Sequence, residues 1–174
     1  DCASPHCRKR LDKEALVGIV IHFTAGASAE SSASWFKNPN SKASAHVVVD
    51  LDGSVIRCVK PSYSAYHAGS SVFINRTRCN DFMLGIEIAN PGPITRKDNK
   101  YFTSFGKEVD ADRVVRPVFN VNTGLYENGD LSQFEDGFYH AYTDEQFETV
   151  RKICQDWCNM FGLDPLSITG HEHV

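Results

Sequence analysis

Two histidines and one glutamate set the chemical possibilities of this chain. His22 closes the apolar run Ile19-Val20-Ile21-His22, and His171 follows Ile168-Thr169-Gly170 far along the sequence. An imidazole at the mouth of a strand is held in direction by rigid backbone. Two of them, from distant segments, are how a fold assembles a metal site from separate elements. Glu87 stands inside Leu84-Gly85-Ile86-Glu87-Ile88. A carboxylate in such a strand is costly to bury unless it is paired or has chemical work to do. Alternation alone would allow a strand whose exposed face happens to carry Glu. Beside two candidate zinc ligands, a general base for metal-assisted hydrolysis explains it better.

A hydrolytic zinc takes three protein ligands and leaves one position open. His22 and His171 supply two. His173, two residues further on, would share a face with His171 on an extended segment and is one candidate for the third. A carboxylate or thiolate beyond Val174 is the expected alternative. Gly170, just before His171, allows close backbone approach. His67, in Ala65-Tyr66-His67-Ala68-Gly69, is flanked by small residues, which suits a side chain lining a substrate cleft. His46, in Ser44-Ala45-His46-Val47, begins a strand. It reads as a structural hydrogen-bonding group, with substrate binding as its second role. His6 and His140 carry no visible context. Asn75-Arg76-Thr77 matches a glycosylation triplet too common to interpret. Other chemistries lack their signatures: Ala68-Gly69-Ser70-Ser71 is not a phosphate loop, no Gly-x-Ser-x-Gly elbow occurs, and no cysteine sits in a nucleophile motif.

These residues must be positioned by a fold of 174 residues, a length that suits one domain with a substantial core. The net charge is −4 and the only basic run is Arg8-Lys9-Arg10, so no nucleic-acid partner is expected. No apolar run approaches the ~20 residues of a membrane-spanning helix. A monomer is the default. Six cysteines permit disulfides, but a domain of this length does not need them. Mostly free, buried thiols are expected, with Cys2–Cys7 the open case.

Along the chain, residues 1–14 read as an irregular polar lead-in. Residues 15–23 form a β-branched apolar run, the pattern of a central strand buried on both faces. Residues 29–36 suit a helix, which Asn38-Pro39-Asn40 stops. Residues 45–50 and 54–60 read as a hairpin around Asp52-Gly53, and 83–89 as another short strand. Residues 91–142 carry turns and scattered aromatics without a sustained period. They read as an ordered insertion beside the site, with a short strand at 116–121. Thr143 can cap a last helix, with Gln146 completing a capping box and an apolar stripe of Phe147, Val150, Cys154, Trp157 and Phe161. Gly162 ends it, Asp164-Pro165 prevents continuation, and residues 166–169 return toward the sheet.

Taken together, six segments in one order resemble a known family. They are Ile19-Val20-Ile21-His22-Phe23-Thr24-Ala25; Lys42-Ala43-Ser44-Ala45-His46-Val47-Val48-Val49-Asp50 with Asp52-Gly53; Tyr66-His67-Ala68-Gly69; Asn80-Asp81-Phe82-Met83-Leu84-Gly85-Ile86-Glu87-Ile88-Ala89-Asn90-Pro91-Gly92; Tyr142-Thr143-Asp144-Glu145-Gln146; and Ile168-Thr169-Gly170-His171. The chain resembles the zinc-dependent N-acetylmuramoyl-L-alanine amidases of the type 2 family, relatives of the peptidoglycan-recognition proteins. The resemblance implies an α/β fold with a mixed central sheet flanked by helices, one zinc, and cleavage of the amide between N-acetylmuramic acid and L-alanine. It makes His22 and His171 zinc ligands and Glu87 the catalytic acid/base, and puts His67 in the substrate cleft. It also implies peptidoglycan or muropeptide as partner, met in the periplasm, outside the cell or by phage delivery. The family's third ligand and assisting lysine lie in a segment that follows the second histidine, and that segment is absent from this sequence. Ala45 stands where the recognition and phage branches often carry tyrosine, which points to the bacterial amidase branch. The alternative function is a recognition module that binds muropeptide without cutting it.

Overall fold

The computed structural model describes residues 4–11, 15–133 and 136–174. Its contacts divide into two units, Asp1–Ala89 with Thr143–Val174, and Asn90–Tyr142. In chain order, the first unit contains β1 (Cys7–Lys9), β2 (Gly18–Phe23), α1 (Ala29–Lys37), β3 (Val47–Val49), β4 (Val55–Arg57), β5 (Tyr63–Ala65), β6 (Val72–Phe73), β7 (Arg76–Thr77) and β8 (Met83–Ile88). The second contains β9 (Pro93–Lys97), β10 (Lys100–Thr103), β11 (Glu108–Val109), β12 (Val114–Val115), β13 (Pro117–Asn120), β14 (Leu125–Asn128) and β15 (Phe138–His140). The chain then returns to the first unit with α2 (Asp144–Phe161) and β16 (Ile168–Gly170).

The central sheet of the first unit has the order β16-β2-β8-β3-β4. Its first four strands are parallel and β4 is antiparallel to β3. The two longest strands, β2 and β8, apolar except for His22 and Glu87, sit inside the sheet, as cover on both faces requires. Side chains alternate across each strand. Ile19, Leu84, Ile86, Ile88, Val47 and Val49 face Val150, Cys154 and Trp157 of α2. On the other face, Val48 packs with Ala29, Ala33 and Phe36 of α1, and Val20 and Met83 with Ala68, Cys79 and Phe82. The mixed sheet with helices is the expected architecture.

Both helices begin where their side chains satisfy free backbone donors. Ser28 accepts from the Ser31 N–H at the start of α1. Thr143 and Gln146 form a full capping box on α2, and Gly162 ends that helix in the left-handed region at φ 64°. The stripe on α2 differs from expectation at its first member. Phe147 is exposed, and Gln146 takes the buried place, donating from Nε2 to the Ala89 carbonyl at 2.8 Å. The carbonyl that closes β8 needs a donor there, which Phe cannot supply.

Two other expectations are corrected. The lead-in is not irregular throughout: β1 pairs antiparallel with β5, Cys7 opposite Ala65. Arg10 continues the attachment by donating to the carbonyls of Pro61 at 3.3 Å and Tyr63 at 3.0 Å, and to that of Asp81. Cys7 is disulfide-bonded, Cys58, Cys79, Cys154 and Cys158 are free, and Cys2 lies outside the described residues. Residues 91–142 contain far more than one short strand. A sheet in the order β11-β10-β9-β15-β12 surrounds Ile94, Tyr101, Val109, Val114 and Phe138, and β13–β14 forms a separate hairpin over the expected 116–121. Strands of two to five residues are too short to show a period. The turn between β9 and β10 uses Asp98 and Asn99, both at positive φ, in place of the Asn-Gly or Asp-Gly that announces a hairpin.

The Thr143 hydroxyl accepts from the Gln146 N–H at 3.1 Å and donates to the Leu51 carbonyl at 2.7 Å, tying α2 to the β3–β4 turn. Thr143→Ala should lower unfolding stability by about 1–2 kcal/mol in urea denaturation, and Thr143→Ser should restore most of it. A serine variant no better than alanine would show that the cap is not the cause.

Candidate active site

The site follows from strand register. In the parallel pair β2–β8, His22 stands opposite Glu87; in β16–β2, Gly170 stands opposite Ile21, so His171 comes next, level with His22. Adjacent strands are about 4.8 Å apart, so polar side chains level across three of them can reach one small group. They lie at the carboxyl ends of the strands, where open α/β sheets bind ligands. The His22 and His171 ring centroids are 4.6 Å apart, with the rings crossed at 66°.

The electrostatics suit His22 as a neutral metal ligand. Burial, with His67 and His171 nearby, drives the His22 imidazolium down to about 2, so the ring is uncharged at neutral pH. That is the form that ligates metal. His171 is exposed at the rim. Burial pushes the Glu87 carboxyl up to about 7. Its Oε2 is buried without a hydrogen-bond partner, an orphaned acceptor of the kind that calls for a cation, water or substrate. An uncharged His22 imidazole, the His171 ring beside it and an unsatisfied Glu87 oxygen fit a borderline cation such as zinc.

The remaining candidates separate. His67 is not a cleft-lining residue. It is 8% exposed, with Nδ1 3.0 Å from His22 Nε2 and Nε2 3.3 Å from the Met83 carbonyl. The N–H groups of His67 and Ala68 donate to Asn80 Oδ1 at 2.9 and 2.8 Å, which draws the segment inward. His46 is 0% exposed, so no face is left for substrate, and its structural role stands instead. Its Nδ1 accepts from the Gly85 N–H at 2.9 Å and its Nε2 donates to the Tyr63 carbonyl at 3.1 Å. His173 does not share a face with His171, because residues His171–His173 form a 3-10 turn rather than an extended segment. Three residues per turn puts positions i and i+2 on different sides. Its Nδ1 lies 3.4 Å from Glu172 Oε1. Among the described residues, no group of three or more His, Cys, Asp or Glu is placed to hold a metal. At Gly170, what approaches is the Glu172 carboxylate, 2.6 Å from where a Cβ would stand.

The sequence reading missed the groove beside Glu87. A cavity of about 350 Å³ is lined by Phe23, Thr24, Ser32, Trp35, Phe36 and Glu87, among others. Phe23 and Trp35 are about half exposed, at 47% and 51%. The available signal was an aromatic on the polar face of a short helix directly after the His22 strand.

Comparison with known proteins decides the family. The N-acetylmuramoyl-L-alanine amidase family matches residues 12–174. The chain belongs to this amidase family. Among relatives, the 1,6-anhydro-N-acetylmuramyl-L-alanine amidase AmpD of Citrobacter freundii is 30% identical over 115 residues, covering 56% of this chain and 62% of AmpD. The N-acetylmuramoyl-L-alanine amidase BlyA of Bacillus subtilis (strain 168) is 29% identical over 166 residues, covering 92% of this chain and 35% of BlyA. The chain thus spans less than two thirds of either relative. A crystal structure of AmpD superposes with a TM-score of 0.60 at 22% identity, covering 97% of this chain and 78% of AmpD. AmiD from E. coli, in complex with the substrate anhydro-N-acetylmuramic acid-L-Ala-D-gamma-Glu-L-Lys, gives 0.59 at 18% identity, covering 94% of this chain and 52% of AmiD. At these identities the superpositions establish the amidase fold.

The half-buried Glu87 makes a stability prediction. The folded chain holds its proton up to about pH 7, whereas an unperturbed carboxyl releases it near 4.5. Its favourable contribution is therefore complete below about pH 4.5 and lost as pH rises through about 7. Glutamine cannot ionise. In metal-free protein, Glu87→Gln should match the parent at pH 4.5 and exceed it by about 2–3 kcal/mol at pH 8. Denaturation curves with constant spacing at both pH values would refute the burial of this carboxyl.

Proposed function

We propose that this chain hydrolyses the amide between N-acetylmuramic acid and L-alanine in peptidoglycan or muropeptides, with zinc. The row of His171, His22 and Glu87 at three neighbouring parallel strand ends is the observation that carries the reading. The amidases AmpD and BlyA, and the muropeptide held by AmiD, support it. Zinc, when held by His22, His171 and a third ligand, supplies Lewis acidity and makes a water acidic enough to attack at neutral pH. Glu87 takes the proton from the attacking water and passes it to the departing L-alanine amine, so the carboxylate is regenerated in each turnover. Phe23 and Trp35 offer apolar surface beside it, and among the described residues Glu87 is the only charged side chain lining the groove. The groove therefore suits an uncharged part of the substrate. The substrate lies in the wall, reached by a periplasmic, secreted or phage-delivered enzyme. The disulfide at Cys7 supports action outside a reducing cytoplasm.

Digestion of purified peptidoglycan should release stem peptides that begin at L-alanine, identified by mass spectrometry. The release should stop with a zinc chelator and return on adding zinc. Glu87→Gln should lower kcat/KM by about 10²–10⁴-fold, and Trp35→Ala should raise KM several-fold with little change in kcat. Intact muropeptides in the presence of folded, zinc-loaded protein would overturn the hydrolase and leave a recognition module.

A further inference from the structure

The assignment of His67 to the cleft wall fails on burial, yet the residue is among the most constrained in the first unit. Its ring lies over β8 at Gly85. A Cβ on Gly85 would stand 2.5 Å from His67 Cγ and 2.8 Å from Nδ1, so the ring occupies space that only glycine leaves. Gly85 is itself pinned. Its N–H donates to His46 Nδ1 at 2.9 Å, and its carbonyl accepts from the His46 N–H at 3.0 Å. The backbone N–H of His67 is held by Asn80. Ring and backbone are thus fixed from separate sides.

The hydrogen bonds then determine a tautomer. The Met83 carbonyl can only accept, so His67 Nε2, 3.3 Å away, carries the hydrogen. An uncharged imidazole has one N–H, which leaves His67 Nδ1 as an acceptor. Its partner is His22 Nε2 at 3.0 Å, which must therefore donate. His22 in turn keeps the lone pair on Nδ1. We infer that His67 is the positioning residue of His22, fixing it as the Nε2–H tautomer with Nδ1 free to bind the metal, and that Gly85 is the space that permits this. The arrangement resembles the partners that orient metal-ligating histidines in general, in which the ring nitrogen not on the metal donates to a fixed acceptor. Here the acceptor is a second imidazole, oriented by a strand carbonyl. The inference rests on His22 as a metal ligand, but not on amide hydrolysis.

Long-range ¹⁵N NMR of the metal-free full chain should show His22 protonated on Nε2 and unprotonated on Nδ1. The opposite tautomer would overturn the inference without any variant. His67→Asn places an amide oxygen close to where Nδ1 stood and keeps the acceptor; His67→Leu fills the space without one. Zinc affinity, measured by chelator competition on protein with an intact thermal transition, should stay within about threefold for His67→Asn. It should fall 10–100-fold for His67→Leu, and Gly85→Ala should behave like His67→Leu. A folded His67→Leu variant that binds zinc as tightly as the parent would also overturn it. Should the leucine variant not fold, the NMR tautomer decides alone. Neither readout involves turnover, so failure of the amidase reading and failure of this one are distinguishable.

Discussion

Everything in the site depends on the parallel pairing of β16, β2 and β8. The contacts that hold this register are apolar. Ile19, Leu84 and Ile86 lock the strands against α2, and a slip of one residue would turn them toward the opposite face. That register has a second consequence at the strand ends, where it brings His171, His22 and Glu87 level. Packing and chemistry are therefore specified by one set of interactions. A polar row of this kind could not be held as firmly by loops, whose geometry is not fixed by a ladder of hydrogen bonds.

The same row explains an uneven distribution of polar satisfaction. Three imidazoles are buried here, an arrangement tolerable because each is uncharged. His46 uses both ring nitrogens on backbone, and His67 uses one on backbone and one on His22. Glu87 breaks the pattern, since its Oε2 has no partner while burial opposes its charge. An unsatisfied buried carboxylate destabilises a fold, and such costs concentrate where a ligand or reacting group will complete the set.

Much of this was legible in the sequence, and the limits are physical. β2 and β8 declared themselves because a strand buried on both faces must be apolar throughout. α2 did so because a capping box and a terminal glycine mark both of its ends. His22, Glu87 and His171 stood out as polar residues at the ends or in the middle of such strands. His67 was misplaced because small neighbours fit a buried ring as well as a cleft. The decisive contacts, to Gly85, Met83 and His22, lie 16 to 45 positions away in sequence. Gly85 itself was a readable sign, since glycine inside a strand marks close approach of another group. Trp35 gave no periodic signal to follow, and the short strands of residues 90–142 leave too little pattern to count.

The division of labour within the first unit has a consequence for how specificity can change. On the proposed reading the strand ends supply the reactive groups, and their positions are set by the core of the sheet. The groove walls beside them come from α1 and the segment after β2, where Ser31, Ser32 and Trp35 sit on a short helix anchored through Ala29, Ala33 and Phe36. Substitutions on the outer face of α1 alter the shape and polarity of the groove without touching the register. Substitutions at Gly85 or in β2 disturb the reactive row directly. On the proposed reading, substrate preference and chemistry are thus carried by different layers of the fold, so one can diverge among relatives while the other is held.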